Sequence, residues 1–168
     1  MKKQSAGIWP FRRREGQLEV LLLHLAGPIW GHKDTWSIPK GELTGDEDHM
    51  AAAKREFEEE LGILPPAGDY IDLGELPQSD KTNYIWAVEA EIDVDQLALL
   101  DTFTMEWPPK SGQQAEFLEN DRAAWFDLPT AKTKMFKSQV PYVDRLAAKL
   151  GVEVAVTEDV ADSQQSLF

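Results

Sequence analysis

The residues best suited to chemistry lie in one segment, residues 41–63, where glutamates surround a single arginine. If this segment is helical, residues three and four apart share a face, because an α-helix advances about 100° per residue. Glu56, Glu59 and Glu60 then form a fan of carboxylates that spans roughly 100° of the helix surface. Carboxylate oxygens with open positions suit Mg²⁺ or Mn²⁺, which keep bound water and bridge to phosphate groups. The segment therefore predicts a divalent-cation site on a helix.

The helix that carries this fan is predicted over residues 46–61, which contain no Gly or Pro and are rich in Ala and Glu. Gly62 ends the helix, and the prolines at positions 65–66 prevent it from resuming. Its buried apolar stripe consists of Met50, Ala53, Phe57 and Leu61. Arg55 lies four residues before Glu59, where its guanidinium can orient that carboxylate.

Several strands and a second helix must position this first helix. Apolar runs at residues 8–11 and 18–25, separated by the polar stretch 12–17, predict two strands joined by a turn. The three arginines of that stretch are either a phosphate-binding patch or, more commonly, a solvated strand end. The remaining elements are strands predicted at 70–76, 83–92 and 124–126, and a helix at about 140–150.

These elements predict one mixed α/β domain over residues 1–150. Residues 41–45 are predicted to form a turn before the helix. Residues 105–114 are predicted to form an irregular loop, in which 107–112 is a candidate lid or specificity loop. Residues 151–168 are acidic with few large apolar groups, so we expect a tail that is a short strand or disordered.

Composition excludes several classes of function. The chain has 168 residues, no Cys and a formal net charge of −13, which opposes binding to a nucleic-acid duplex. The absence of cysteine excludes disulfide scaffolds, thiolate metal sites and Cys nucleophiles. No apolar run reaches the ~20 residues of a membrane span, and no signal peptide is evident, so we expect a cytoplasmic protein without membrane contact. A phosphate-bearing substrate would need a recruited cation.

The spacing within residues 41–63 matches the pattern G-x5-E-x7-R-E-U-x-E-E-x-G-U at every fixed position. At residue frequencies of about 7 %, seven such identities arise by chance about once in 10⁸ start positions. Because the segment is rich in glutamate, the chance frequency of such a match is higher by about two orders of magnitude. The match outweighs the simpler alternative of a solvated helix face, which is typical of glutamate runs. This pattern is the Nudix box, and the chain resembles the Nudix hydrolases.

The resemblance implies an α/β/α sandwich with a central mixed β-sheet. It also implies a hydrolase that uses Mg²⁺, or alternatively Mn²⁺, to cleave a nucleoside diphosphate linked to another group. The expected partner is then a small phosphorylated nucleotide. By matching positions, the resemblance makes Glu56, Glu59 and Glu60 metal ligands, with the carbonyl of Gly41 completing the set.

Catalytic positions follow from the same resemblance. Glu59 is implied as a catalytic residue as well as a ligand, and Arg55 and Glu47 are implied to brace the loop and the helix. A carboxylate outside the box assists as a base or an extra ligand in many members of the family. Glu119 is preferred over Glu116 for that role.

Two further segments favour a substrate class. The segment directly before the box, residues 36–40, is similar to the W-x-x-P-K sequence of Nudix enzymes that act on dinucleoside polyphosphates. Lys40 would then supply a positive charge for a phosphate, although an ordinary surface lysine is the alternative. In that subgroup a later segment carries a phosphate-contacting lysine and a base-stacking aromatic, here Lys81 and Tyr84 or Trp86. Tyr84 and Trp86 share one strand face, so either both line the site or both fill the core.

A dinucleoside polyphosphate such as diadenosine tetraphosphate is therefore the predicted substrate. ADP-ribose, for which Pro77 is a minor indication, and nucleoside triphosphates are alternatives within the enzyme class. A nucleotide-sensing module without turnover is an alternative from another class. Such a module should have lost box glutamates, and this chain retains all of them.

Overall fold

The computed structural model describes residues 2–154, and a mixed β-sheet of seven strands lies at its centre. From residue 155 onward, the predicted acidic tail lies outside the described residues. The strands are β1 (Lys3–Arg14), β2 (Gln17–Leu25), β3 (Trp36–Ser37), β4 (Lys40–Glu42), β5 (Ile71–Pro77), β6 (Lys81–Glu89), β7 (Thr102–Glu106), β8 (Gln114–Leu118) and β9 (Asn120–Asp127). The helices are α1 (Gly27–Trp30), α2 (His49–Leu61), α3 (Leu128–Lys134) and α4 (Pro141–Leu150).

The sheet runs in the order β3-β2-β1-β6-β5, with β4 paired to β1 and β9 paired to β2. β1 and β6 are parallel, whereas the other pairs are antiparallel. β7 and β8 form a separate two-stranded antiparallel sheet. The seven-stranded sheet is therefore mixed, as predicted.

Helices cover both faces of this sheet. α2 packs on one face through Ala52, Ala53, Phe57 and Leu61, all of them fully buried. α3 and α4 pack on the other face, where the buried side chains include Leu128, Ala131, Tyr142, Val143 and Leu146. Because each face of the sheet contributes alternate side chains to its own core, the result is three layers. The predicted α/β/α sandwich is confirmed.

The predicted N-terminal hairpin is present as β1 and β2, with Arg14 opposite Gln17. Glu15 and Gly16 both have positive φ, 51° and 80°, which matches the twist that a tight two-residue turn requires. The arginines of the stretch form ion pairs, including Arg12 with Glu19 at 2.8 Å. The stretch is a charged strand end.

The helix of the box begins slightly later than predicted. Its N-cap is Asp48, whose Oδ2 accepts a hydrogen bond from the N–H of Ala51 at 3.1 Å. Gly62 ends the helix in the left-handed conformation with φ 71°, and its N–H donates to the Glu58 carbonyl at 2.9 Å. A side-chain cap at one end and a glycine at the other thus fix the length of α2.

The local structure departs from the predictions at three places. The expected turn at 41–45 begins inside β4, because residues 40–42 pair with β1. The expected loop at 105–114 is present at residues 107–113, and only its edges, residues 105–106 and 114, belong to the β7 and β8 strands that it connects. A short helix, α3, precedes the last helix and was not predicted; it begins because Asp127 accepts a hydrogen bond from the N–H of Thr130 and caps a new turn. No helix within residues 2–154 has the length and apolar character needed to span a membrane.

A buried amide from the C-terminal part of the chain holds the segment that leads into β4. Gln139 is 2 % exposed, and its Oε1 accepts a hydrogen bond from the backbone N–H of Ile38 at 3.0 Å. Its Nε2 donates to Oγ of Ser37 at 3.0 Å. These two bonds satisfy a buried backbone donor that no strand pairing serves, so they anchor the entry to the box.

Gln139→Ala is expected to lower the free energy of unfolding by about 1–3 kcal/mol, because the Ile38 N–H would be left buried without a partner. Urea unfolding of the variant and the parent measures this difference. Gln96→Ala removes an exposed amide and should change the free energy of unfolding by less than about 0.5 kcal/mol. Equal effects of the two substitutions would contradict the anchoring role.

Candidate active site

Five carboxylates converge where α2 meets the base of the β7–β8 hairpin. Oxygens of Glu56, Glu59 and Asp101 lie within 4.8 Å of one another, and so do oxygens of Glu60, Asp101 and Glu119. We call these five residues the acidic cluster. α2 supplies three members because positions 56, 59 and 60 share a helix face, as predicted. Asp101 belongs to both groups and was not predicted.

Arg55 organises the cluster from the side of the box. Its Nε and one terminal nitrogen donate to both carboxylate oxygens of Glu47, at 2.7 and 2.8 Å. The other terminal nitrogen donates to Glu56 at 2.9 Å and to Glu59 at 3.2 Å. This bidentate hydrogen bonding lowers the pKa of Glu47 to about 2. A single guanidinium therefore ties the loop before α2 to two members of the acidic cluster.

Glycine is required at position 41 by the approach of Glu56. A Cβ at Gly41 would lie 2.0 Å from Oε2 and 2.1 Å from Cδ of Glu56. Any side chain at this position would displace that carboxylate. The glycine of the box therefore leaves room for the carboxylate.

Glu60 is buried, and its Oε2 has no hydrogen-bond partner among the described residues. Burial, together with the negative charges of Glu56 and Glu119, raises its pKa. A buried carboxylate oxygen without a donor is costly unless a cation neutralises it. The clustered oxygens and this unpaired atom fit a divalent cation, which the five carboxylates of the acidic cluster could hold.

Glu119 is half-buried beside Asp101. Burial and the neighbouring charge of Asp101 raise the pKa of Glu119 well above its usual range. Glu116, the alternative weighed from the sequence, lies on β8 with its carboxylate exposed and accepts a hydrogen bond from Thr102 at 3.2 Å. The structure thus brings Glu119, and not Glu116, to the acidic cluster.

Two lysines border the cleft that the acidic cluster forms. This cleft has a volume of about 430 Å³, and Lys40 and Lys81 line it together with Ser5 and the carboxylates. β4 and β6 pair with opposite edges of β1, where Lys40 lies opposite Gly7 and Lys81 lies opposite Lys3. Burial and the charge of Lys81 lower the pKa of Lys40 to about 8. Both lysine side chains therefore contribute to the cleft that contains the acidic cluster.

An apolar cavity of about 320 Å³ adjoins the acidic cleft, and Lys40, Glu60 and Glu119 line both. Its apolar walls consist of Leu23, Leu25, Ala26, Ile29, Trp30, Ile38, Phe103, Met105 and Phe136. Two buried polar side chains, Ser37 and Asn120, also reach it. Its size is in the range of small-ligand sites. The sequence did not reveal this cavity, because its walls come from α1, β2, the β7–β8 hairpin and the segment after α3.

Tyr84 and Trp86 lie on the α2 side of the sheet. Both are half-buried and pack against the core beneath α2, and the Tyr84 ring lies 4.0 Å from the His49 ring, centroid to centroid. They share a face, as predicted, and that face belongs to the core. Among the described residues, neither contributes to the lining of the acidic cleft or of the apolar cavity. Base stacking by these two residues stays a prediction.

Gly41→Ala is expected to weaken Mn²⁺ binding at least about tenfold, because the new Cβ would displace the Glu56 carboxylate. Calorimetric titration with Mn²⁺ measures the affinity. Gly45→Asn is the matched control, because position 45 has open space around it and a φ of 55° that asparagine tolerates. Unchanged Mn²⁺ affinity in Gly41→Ala would show that Glu56 does not bind the ion.

Known proteins share this architecture. The chain is similar to the C. elegans Ap4A hydrolase in a binary complex, with a TM-score of 0.61, 20% identity, and coverage of 89% of this chain and 98% of that chain. It is also similar to the NUDIX domain of Shewanella oneidensis NrtR complexed with ADP ribose, with a TM-score of 0.60, 13% identity and coverage of 89% of both chains. A mutT/nudix family protein from Listeria innocua has a TM-score of 0.57 at 13% identity, with 89% of this chain and 94% of that chain covered. Identities this low show a shared fold.

The sequence comparison identifies the family. No curated protein matches the chain. The family model for the NUDIX domain, however, matches residues 1–146, which include the box, the acidic cluster and both lysines. The chain therefore belongs to the Nudix family and is a Nudix hydrolase acting on phosphorus-containing anhydrides.

Proposed function

We propose that the chain is a metal-dependent pyrophosphohydrolase whose preferred substrate is a dinucleoside polyphosphate such as diadenosine tetraphosphate. The observation that carries this proposal is the junction of two cavities: an apolar one suited to a nucleobase, and an acidic one bordered by lysines. Lys40, Glu60 and Glu119 line both. A ligand that spans the junction needs an aromatic ring joined to a chain of phosphates, which is the structure of a nucleotide.

The cation of the proposal is Mg²⁺, with Mn²⁺ as the alternative. Glu56 and Glu59 would bind it through one group of clustered oxygens and Glu60 through the second, with the Gly41 carbonyl as predicted from the box. Once bound, the ion would neutralise phosphate oxygens and lower the pKa of a coordinated water. Six-coordinate oxygen ligation with retained waters is the preference of both ions.

Lys40 and Lys81 bind the phosphate chain in this proposal. Both lysines line the same cleft as the carboxylates of α2, so a polyphosphate in this cleft can contact the lysines and a cation held by the acidic cluster. A long phosphate chain carries more negative charge than a diphosphate and gains more from two adjacent ammonium groups. This pair of lysines favours a dinucleoside polyphosphate over shorter substrates.

Hydrolysis breaks one P–O bond of the anhydride as the oxygen of water bonds to phosphorus. The proton released from the water passes to a carboxylate oxygen of Glu119, whose raised pKa suits a general base. Arg55 and Glu47 hold Glu59 and Glu56 in place during this step, since the guanidinium donates to all three carboxylates. The other phosphate leaves with the electrons of the broken bond.

ADP-ribose is the second candidate substrate. The apolar cavity would accept its adenine as well, and the NrtR domain that shares this fold is complexed with ADP ribose. We also propose that the enzyme acts in the cytoplasm. A non-catalytic sensing module is disfavoured, because the box retains every glutamate.

The test is a substrate panel of diadenosine tetraphosphate, ADP-ribose and ATP, assayed with and without Mg²⁺. We expect the highest kcat/KM for diadenosine tetraphosphate and no turnover without the ion. Glu59→Gln should lower kcat by at least about two orders of magnitude, because it removes an exposed cation-binding oxygen and leaves the core untouched. Glu58→Gln, on the opposite face of α2, is the matched control.

A higher kcat/KM for ADP-ribose would replace the preferred substrate with the second candidate. Hydrolysis at an unchanged rate in Glu59→Gln, or in the absence of any divalent ion, would refute the metal-dependent mechanism. Thermal unfolding of each variant confirms that a loss of rate does not come from a loss of fold.

The value of kcat/KM is expected to fall as the pH rises above about 8, because Lys40 is charged below its pKa and neutral above it. Lys40→Arg keeps the positive charge at these pH values and should remove this decline, whereas Lys40→Ala should raise KM at every pH. Initial rates with diadenosine tetraphosphate from about pH 6.5 to 9.5, roughly 1.5 pH units on either side of that pKa, measure the profile. If kcat/KM declines in the same way in Lys40→Arg, the decline comes from the titration of another group.

A further inference from the structure

The β7–β8 hairpin is flanked by two members of the acidic cluster. Asp101 directly precedes β7, and Glu119 directly follows β8. The N–H of Glu119 donates to the Asp101 carbonyl at 2.9 Å, which closes the base of the hairpin, and the Glu119 carbonyl accepts from the N–H of Ala26 at 3.0 Å. The hairpin forms its own two-stranded sheet, so these bonds at its base link it to the rest of the fold.

The same hairpin forms a wall of the apolar cavity. Phe103 and Met105 of β7 line the cavity, and they occupy alternate positions on one side of the strand. Phe103 packs against α1, where a Cβ on Gly27 would lie 2.9 Å from its Cζ. The Phe103 ring also contacts Phe117 across the hairpin, with centroids 5.9 Å apart. The position of the hairpin therefore sets the shape of the cavity.

Asp101 is common to the two groups of carboxylates at the hairpin base. One group joins it to Glu56 and Glu59, and the other joins it to Glu60 and Glu119. An independent feature points to a ligand here. Glu60 is only 5 % exposed, and its Oε2 has no partner among the described residues, while one oxygen of the same carboxylate lies within the second group. A cation in that group would provide the missing partner and would draw Asp101 and Glu119 toward α2.

We propose that Asp101 is a further metal ligand, shared by two cations, and that these cations fix the hairpin as the wall of the apolar cavity, so that metal and nucleoside each strengthen the binding of the other. This inference rests on the proposed function, since it assigns the apolar cavity to the nucleoside. It adds a ligand outside the box and a link between the two cavities.

The physical basis is the charge at the hairpin base. Without cations, the carboxylates of Asp101 and Glu119 repel those of α2, which favours a hairpin base displaced from the helix. Bound cations reverse that preference and restrict the position of Phe103 and Met105. A cavity with a restricted wall loses less conformational entropy when a ligand enters, so the affinity for the ligand rises.

The experiment uses adenosine, which has a base and a ribose but no phosphate to bind the metal directly. The dissociation constant of adenosine is measured by calorimetry with the full-length chain, with and without saturating Mn²⁺. We expect Mn²⁺ to tighten adenosine binding by about fivefold or more, which is the usual lower range for coupling between two sites. By reciprocity, saturating adenosine should tighten Mn²⁺ binding by the same factor.

Asp101→Asn tests the shared ligand. We expect Mn²⁺ stoichiometry to fall from two ions to one, and the effect of Mn²⁺ on adenosine binding to disappear. Without metal, adenosine should bind the variant at least as tightly as the parent, because the substitution removes one of the repelling charges at the hairpin base. Glu116→Gln removes the same charge from the same hairpin, at an exposed carboxylate outside the acidic cluster, and should behave as the parent. Thermal unfolding without metal checks that both variants are folded.

Equal adenosine affinity with and without Mn²⁺ in the parent overturns the proposal, and so does an absence of adenosine binding under both conditions. Unchanged Mn²⁺ stoichiometry in Asp101→Asn overturns the assignment of the ligand. The proposed function fails on different evidence, namely the substrate panel and Glu59→Gln. A parent that hydrolyses diadenosine tetraphosphate with Mg²⁺ but shows no linkage to adenosine retains the proposed function and loses this inference.

Discussion

Mutual repulsion among five carboxylates is the constraint on which the rest of this structure depends. The acidic cluster brings them within a few ångströms, and two of its members, Glu56 and Glu60, are buried. Such an arrangement opposes folding unless the surrounding protein is rigid and counter-charges are near. The three-layer core supplies the rigidity. Arg55 and the two lysines supply part of the charge within the described residues, and a divalent cation would supply the remainder.

The spacing of the box is explained by this constraint. Glu47 and Arg55 are eight residues apart because one lies in the loop and the other on α2, where their side chains meet. Arg55 and Glu59 are separated by one helical turn, which lets the same guanidinium reach both carboxylates. Gly41 is small because Glu56 occupies the space that its side chain would fill. Each of these fixed positions therefore corresponds to a specific contact.

Local patterns predicted α2, the first hairpin and the layers of the fold, because helical and strand periodicity and glycine stops act over short distances. Asp101 and the apolar cavity required knowledge of the β7–β8 hairpin. The alternating stretches 102–106 and 114–118 are short, and the two prolines and the glycine between them favour a loop. The sequence also did not predict which face of the sheet Tyr84 and Trp86 occupy. Strand alternation shows that two residues share a face, but it does not show which helix covers that face.

The role of Gln139 has a consequence for the C-terminal region. Chain ends usually tolerate trimming, because few buried groups depend on them. Here the short turn before α4 provides the partner for a backbone amide next to the box, although the two are separated by 101 positions in the chain. A shortened protein that ended before this turn would keep every box residue and yet release the strand that presents Lys40. The smallest functional unit of this hydrolase is thus set by a contact distant in sequence rather than by the extent of its motif.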